Sequence, residues 1–292
     1  MSAFEISVIL AEAPGQPDLQ PTLASIERAC AGLSAEVLVV RPAGRPPWSP
    51  GSANNVRELT AGEATLVPER WGVGVLAATA PVFACLTSEF TVHAAWARSL
   101  LDALATGAVG AAGAIELARG ADATAAATYL VRFSPYLPGP AGRPRQAANI
   151  PGDTAAYQRE AVLVHADLLT EGFWEIEFHR RFANDGKKLI LLQAPLATYS
   201  TNRGLAATLL LRYRHGREFG ATRVVMHRHS RWRLVLASPI VPVVLVTRIF
   251  GRLARVPRRI GLAVRAFPAL VMISAAWAAG EAAGAWSARD PR

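Results

Sequence analysis

The sequence predicts an α/β fold over residues 1–200, followed by a basic, apolar, α-helical tail over residues 201–292. Three observations carry this prediction. In the first part, short all-apolar runs alternate with segments of helical periodicity, the pattern of βαβ units whose strands are covered on both faces. The charge changes character near residue 200, and from Arg203 to Arg265 there are fourteen Arg against one acid, Glu218. The tail also holds two long apolar runs, at 234–247 and 266–280.

The elements follow in order. Ile6 to Leu10 is an apolar run that stops at Pro14, Gly15 and Pro17, so it reads as a buried strand ending in a loop. Leu19, Leu23, Ile26, Ala29, Cys30 and Leu33 recur at helical spacing over 19–33, and Val37 to Val40 is a second apolar strand. The Pro-rich stretch 42–54 is an extended loop at the end of that strand, the edge where open α/β sheets bind ligands. A short strand is expected at 64–67, a helix over 71–78, a central strand over 82–86, an amphipathic helix over 96–104 and a Gly/Ala-rich strand over 108–115. The Pro/Gly-rich stretch 135–152 reads as a long loop able to close over a site. Helices are expected over 154–165 and 173–185, the second ended by Gly186, and a last strand over 189–192.

In the tail, residues 204–220 set Leu209, Leu210 and Tyr213 against Arg212, Arg214 and Arg217 on an amphipathic helix. The run 234–247 is interrupted by Pro239 and Pro242 and is shorter than the roughly 20 residues a span requires. The run 266–280 is stopped by Glu281, and reaches across a bilayer only if counted through Trp286. Trp232, Trp277 and Trp286 at the ends suit a headgroup zone.

Bulk composition agrees with this division. Of 292 residues, 51% are apolar and 18% charged, ample for a core. The mean hydropathy of +0.22 is high for a soluble chain and too low for a multi-span membrane protein. The net charge of +9 resides in the tail, where Arg is interleaved with apolar stretches, and this favours a lipid surface over nucleic acid as the partner. Cys30 and Cys85 stand alone in apolar surroundings and are expected to be reduced core residues of a cytosolic domain. The N-terminus lacks a basic region and a cleavage site and reads as a first strand, not a signal peptide.

Few residues signal chemistry by themselves. Glu175 and Glu177 stand two apart and point about 200° from each other on a helix, so they cannot face one site together. Glu175 lies one turn before His179 and beside Trp174. An acid held near an aromatic ring suits a general base, and an acid at a helix start is equally favoured by the dipole alone. Glu89 follows the strand 82–86, where an acid can reach a metal or a ribose hydroxyl, although a single carboxylate is a poor site for a divalent cation. His227 and His229 lie among arginines and read as solvated. There is no Walker loop, GxGxxG fingerprint or GxSxG elbow.

Taken in order, these pieces resemble a family-2-type glycosyltransferase with the GT-A nucleotide-sugar fold, over nearly the whole chain. Ile6-Ser7-Val8-Ile9-Leu10 resembles the opening strand and Glu36-Val37-Leu38-Val39-Val40 the second. The stretch from Val67 to Thr87 resembles the helix and strand leading to the metal motif, and Trp96 the aromatic after it. Gly152-Asp153-Thr154-Ala155-Ala156-Tyr157-Gln158-Arg159-Glu160 resembles the acceptor-side stretch. Gly172 to Gly186 resembles the catalytic helix, and Ala276 to Gly284 the tail of membrane-bound members.

The resemblance implies a mixed, mostly parallel sheet and a nucleotide-sugar donor. It implies Glu175 as the catalytic base, with Glu12, Arg41, Arg70, Ser88 and Glu89 on the donor side and Asp153, Trp174, His179 and Arg181 on the acceptor side. It further implies a Mg2+ or Mn2+ ion at Glu89, a lipid-linked or membrane-proximal acceptor, and a peripheral or monotopic place on the cytoplasmic face of the cell membrane. The chain departs from the family at four places. Arg41-Pro42 stands where strand two normally ends in an Asp pair, Ser88-Glu89-Phe90 replaces the Asp-x-Asp triplet, Asp153 replaces the usual Asn, and Tyr199 or Ser200 replaces the His often found after the last strand. Arg binds phosphate bidentately, so Arg41 or Arg70 offers a substitute for the metal's charge. A chain that keeps the fold but not the chemistry, a membrane-associated binding subunit, is the alternative.

Overall fold

The computed structural model describes residues 3–16, 18–46, 55–63, 65–139, 144–225, 229–254, 256 and 259–288. Residues 47–54 and 140–143 of the two predicted loops, and His227, lie outside these. The chain divides into two compact units, Met1–Ala118 with Tyr136–Ser200, and Arg119–Pro135 with Thr201–Arg292.

In the first unit the chain runs through β1 (Ile6–Ala11), α1 (Gln20–Ala29), β2 (Ala35–Pro42), β3 (Val56–Ala61), α2 (Val67–Ala77), β4 (Val82–Thr87), β5 (Phe90–Val92), α3 (Trp96–Ala105) and β6 (Gly110–Leu117). It leaves for α4 (Ala123–Phe133) of the second unit. It returns as β7 (Arg145–Ala147), β8 (Ala156–Gln158), α5 (Arg159–Leu163), α6 (Glu175–Asn184) and β9 (Leu189–Tyr199). Among the described residues the nine strands form one mixed α/β sheet in the order β3-β2-β1-β4-β8-β6-β9-β5, with β7 also on β9. The long pairings are parallel and the short ones antiparallel.

Every residue of β1 and β2 is buried, which explains the apolar run Val37 to Val40 at the centre of β2 and the mostly apolar β1. Ile6 faces both Ala35 and Val82, and Ala11 faces both Val40 and Thr87, so β1, β2 and β4 present their carboxyl ends at one edge. The core beneath that edge is aromatic, with Phe83, Tyr157, Phe173, Phe178 and Phe182 all essentially unexposed.

The sequence reading needs correction in three elements of this unit. Of the strand expected at 64–67, Thr65 and Leu66 are not strand and Val67 opens α2, where Pro68 fits a first helical turn and Glu69 accepts from the Leu66 N–H. The strand in this region is β3, a half-exposed edge strand of mixed polarity. The helix expected over 154–165 is replaced at its start by the end of a 3-10 turn and by β8, wedged antiparallel between β4 and β6, and its α-helical part is residues 159–163.

The second unit holds α4, α7 (Leu205–Val225), α8 (Arg231–Ala237), α9 (Val241–Leu253) and α10 (Ile260–Ser287). A 3-10 turn, Ser238–Ile240, joins α8 to α9. Pro239 and Pro242 therefore do not break the apolar run, because each sits in a first turn, where no amide hydrogen is required. Arg231–Leu253 and Ile260–Ser287 are both long and apolar enough to cross a membrane by length and composition, and the most apolar windows are only 11% and 33% buried.

Helices α7 and α10 meet backbone to backbone through two Gly-x-x-x-Gly pairs. A Cβ on Gly216 would lie 2.3 Å from the Trp277 carbonyl oxygen, and one on Gly220 2.1 Å from that of Glu281. From the other side, a Cβ on Gly280 would lie 2.1 Å from the Tyr213 oxygen and one on Gly284 1.8 Å from the Arg217 oxygen. Small residues four apart are what permit such an approach. An ion pair between Arg223 and the buried Glu281 closes the seam. The buried face of α10, including Ala263, Ala266, Leu270 and Ile273, leaves Val264, Phe267, Val271 and Met272 exposed.

Candidate functional site

Two clusters flank the carboxyl end of β4. The first follows β1. Glu12 is 1% exposed, and its carboxylate takes a 2.9 Å bond from Arg41 Nε. Arg45 Nη2 lies 2.7 Å from the other oxygen in an ion-pair contact off the hydrogen-bonding direction. Arg70 of α2 donates to the Glu12 carbonyl and to the Thr65 carbonyl and hydroxyl. Arg41 also donates to Glu58 and to the Pro46 carbonyl, so its guanidinium is engaged on three sides. Burial alone would lower the Arg41 pKa, and the bonds and charges of Glu12 and Glu58 outweigh this and raise it. At Arg70, burial and the neighbouring Arg45 win over Glu12 and Glu69 and lower it. The group sets the guanidiniums of Arg41, Arg45 and Arg70 among the carboxylates of Glu12, Glu58 and Glu69 at the edge where open sheets bind ligands.

The end of β4 is fixed on both sides. The Ser88 hydroxyl accepts from Ala13 N–H and donates to the Gln16 carbonyl, tying the loop after β1 to β4. Glu89 is buried, accepts a 3.3 Å bond from the Tyr199 hydroxyl, and its carbonyl receives Ser200 N–H. A divalent cation held by protein side chains alone wants several oxygen ligands, whereas a magnesium-type ion takes one or two carboxylates and the rest from substrate phosphates. Glu89 is one inward-held carboxylate, and no group of three or more His, Cys, Asp or Glu forms a metal site among the described residues.

The second cluster lies across β4. Trp96 Nε1 donates to the Thr154 carbonyl and Cys85 N–H to the Ala155 carbonyl, so residues 152–155 lie against the end of β4. Gly152 packs directly on Glu175, and a Cβ there would stand 2.7 Å from its Cγ. Asp153 follows Gly152 in the chain, so Glu175 and Asp153 both lie near the start of α6. Burial, then these two carboxylates, push the Cys85 thiol well up, and burial, Glu175 and Asp153 act in the same sense on the Tyr157 hydroxyl. Gly172, at φ +100°, lets the chain before α6 touch α2: Phe173 N–H donates 2.8 Å to the Pro68 carbonyl, and a Cβ on Gly72 would lie 2.8 Å from Gly172 Cα. This contact joins the helix bearing Arg70 to the helix bearing Glu175.

The remaining sequence candidates lie elsewhere. His179 is 1% exposed, with Tyr157 Oη 2.9 Å from Nε2 and Asn149 Oδ1 3.3 Å from Nδ1. It is a core histidine rather than part of an open acceptor surface, and burial drives its pKa down to about 3. Arg181 pairs with Asp167 at 3.1 Å on the surface. Trp174 donates to the Glu171 carbonyl and caps α6. Arg45 and Tyr199 enter the site as partners of Glu12 and Glu89. Arg45 sits in a Pro/Gly-rich loop whose fold no local pattern specifies, while Tyr199 lies one residue before Ser200, at the end of a strand that runs seven residues further than its apolar start indicates.

Cys30 and Cys85 are both free and buried. Trp232 and Trp286 are exposed and meet edge to face at 5.0 Å, whereas Trp277 packs against Phe219 at 5.5 Å and under the Arg212 guanidinium at 4.4 Å. No protein-family model matches the chain. No curated protein matches its sequence either.

Proposed function

We propose that the chain is a glycosyltransferase that moves a sugar from a nucleotide-sugar donor to a lipid-linked or membrane-proximal acceptor, with inversion at the anomeric carbon. The observation that carries this reading is the seating of Glu175 against Gly152, next to Asp153, on one side of β4 and an arginine cluster on the other. Glu175 takes the proton of the acceptor hydroxyl as its oxygen attacks the anomeric carbon. The bond to the diphosphate breaks on the opposite face, and Arg45 and Arg70 offset the charge that develops there. Arg41, held by Glu12 and Glu58, positions the cluster. The apolar helices and the Arg-rich tail hold the enzyme at the cytoplasmic face of the cell membrane, where excess Arg is retained.

The test is Glu175→Gln. Turnover of labelled nucleotide sugar with a membrane extract should fall by a factor on the order of 10² to 10⁴, the range for a general base, with donor affinity unchanged. Unchanged turnover would remove Glu175 from the reaction. The second reading, a non-catalytic binding subunit, draws on the internal engagement of Arg41 and on the burial of Glu89 against Tyr199. It predicts donor binding without turnover in the unaltered chain.

A further inference from the structure

The second unit presents an apolar stripe along the helical segment Arg231–Leu253. Trp232, Leu236, Ile240 and Val243 are each more than half exposed and recur every three or four residues, which sets them on one face. Leu234, Ile249 and Leu253, turned away from that face, are buried. Phe250 meets the exposed Phe267 ring to ring at 6.3 Å, so the apolar surface continues onto α10. Arginines stand at both ends of the stripe, Arg231 and Arg233 at its start and Arg248 and Arg252 beyond it. Residues 219–280 hold ten Arg and no acid.

Charge and length together select what covers such a stripe. An apolar face bracketed by one sign of charge complements an anionic bilayer surface, where Arg stems and Trp rings reach the headgroup zone. Trp232 and Trp286, in contact at 5.0 Å, supply such rings. The depth is limited. The charge-free stretches 234–247 and 266–280 measure about 21 Å and about 22 Å as helix, against a hydrocarbon core of about 30 Å. Helix α7 also bars α10 from crossing. Its Gly216 and Gly220 face the Trp277 and Glu281 carbonyl oxygens, so the exposed Arg214, Arg217 and Glu218 run alongside the second half of α10. A span reaching Trp286 would carry all three into hydrocarbon, where each charge is heavily penalised.

We propose that the second unit docks on one leaflet of an anionic bilayer through the stripe of Trp232, Leu236, Ile240 and Val243, with segment Arg231–Leu253 in the plane of the interface and α10 not crossing. The inference rests on the membrane-bound half of the function proposed above and fixes its partner and depth. None of its readouts is turnover, so either reading can fail while the other stands.

The experiment adds the full-length chain to preformed vesicles of equal parts phosphatidylglycerol and phosphatidylcholine and measures the bound fraction by flotation. Ile240→Asp should weaken binding about tenfold or more, because a charge replaces an inserted side chain. Leu210→Asp, at an exposed apolar position of α7, should change it less than about twofold. Vesicles of phosphatidylcholine alone should bind at least about tenfold more weakly. Depth is read with Gly261→Cys and Ser287→Cys, exposed positions near the two ends of α10, in a chain whose own Cys30 and Cys85 are buried. A membrane-impermeant maleimide added outside should label both as fully before as after the vesicles are dissolved in detergent. Melting curves for each variant separate lost binding from lost folding, and Val243→Asp is the second stripe variant should Ile240→Asp fail to fold. Protection of either cysteine until detergent is added would mean a crossing helix and overturn the proposal. No binding, binding indifferent to lipid charge, or equal losses in Ile240→Asp and Leu210→Asp would overturn it as well. So would an Ile240→Asp chain that turns from dimer to monomer yet still floats with the vesicles, which would assign the stripe to a second copy.

Discussion

Replacing Gly284 by Ala tests the packing that organises the helical unit. The added Cβ would stand 1.8 Å from the Arg217 carbonyl oxygen, 2.7 Å from its carbonyl carbon and 2.9 Å from its Cα. Ordinary contact begins near 3.4 Å, so α7 and α10 must separate by about 1.6 Å at this point. The opposing atoms are backbone and cannot rotate away. Overpacking of this kind costs about 1–3 kcal/mol, and separation also loosens the neighbouring contacts of Gly216, Gly220 and Gly280. Against this, Ala gains up to ~1 kcal/mol over Gly in a helix. The expected net loss is about 1–2 kcal/mol. Gly251 of α9 supplies the control, since a Cβ there meets nothing within 4 Å, so Gly251→Ala should gain up to ~1 kcal/mol. Urea unfolding followed by tryptophan fluorescence reports both, because Trp277 lies in the seam. The two substitutions should move the midpoint in opposite directions. A Gly284→Ala chain at least as stable as the unaltered one would refute the close approach.

Two further outcomes follow from buried charge. His179 has a pKa near 3 in the fold against an ordinary value of 6.5, so below pH 6.5 the unfolded chain binds a proton that the folded chain refuses. Stability should therefore fall as pH drops from 6.5 towards 3, by up to about 1.4 kcal/mol per pH unit from this residue. His179→Gln should flatten that slope in urea titrations at several pH values, and an unchanged slope would place the effect elsewhere. Glu12→Gln removes the charge facing Arg41 and Arg45; breaking a buried pair costs about 3–5 kcal/mol, reduced here to roughly 2–3 because Arg41 keeps Glu58. Adding Arg41→Gln should restore part of that loss, and a double variant worse than the sum of the single ones would contradict the pairing.

How far the molecule was legible in its sequence depended on what each element is buried against. Strands β1, β2 and β4 are covered on both faces, and their unbroken apolar runs announce it. Strand β3 is an edge strand whose Arg57, Glu58 and Thr60 dilute the pattern, so it stayed hidden. Strand β8 is three residues long, and Ala156-Tyr157-Gln158 becomes extended only because β4 and β6 leave a slot for it. Helix α4 is Ala-rich and belongs to the second unit, a long-range assignment that no local pattern carries.

The acidic residue at the start of α6 was visible from spacing, but its neighbour Asp153 and the Gly152 contact come from folding. His179 shows the reverse: helical spacing set it near Glu175, and the interior claimed it for Tyr157. The glycine seam had a signal, the four-residue spacing of Gly216 with Gly220 and of Gly280 with Gly284. The two motifs lie some sixty residues apart, and only packing brings them together.

The central claim is that the carboxyl edge of β1, β2 and β4 receives a nucleotide diphosphate. Isothermal titration of the full-length chain with a panel of nucleoside diphosphates, with and without manganese, tests it most directly. The account predicts that at least one nucleotide binds without added metal, that Arg70→Gln weakens it about tenfold or more, and that Glu175→Gln leaves it intact. Binding of none of the panel under either condition would contradict it.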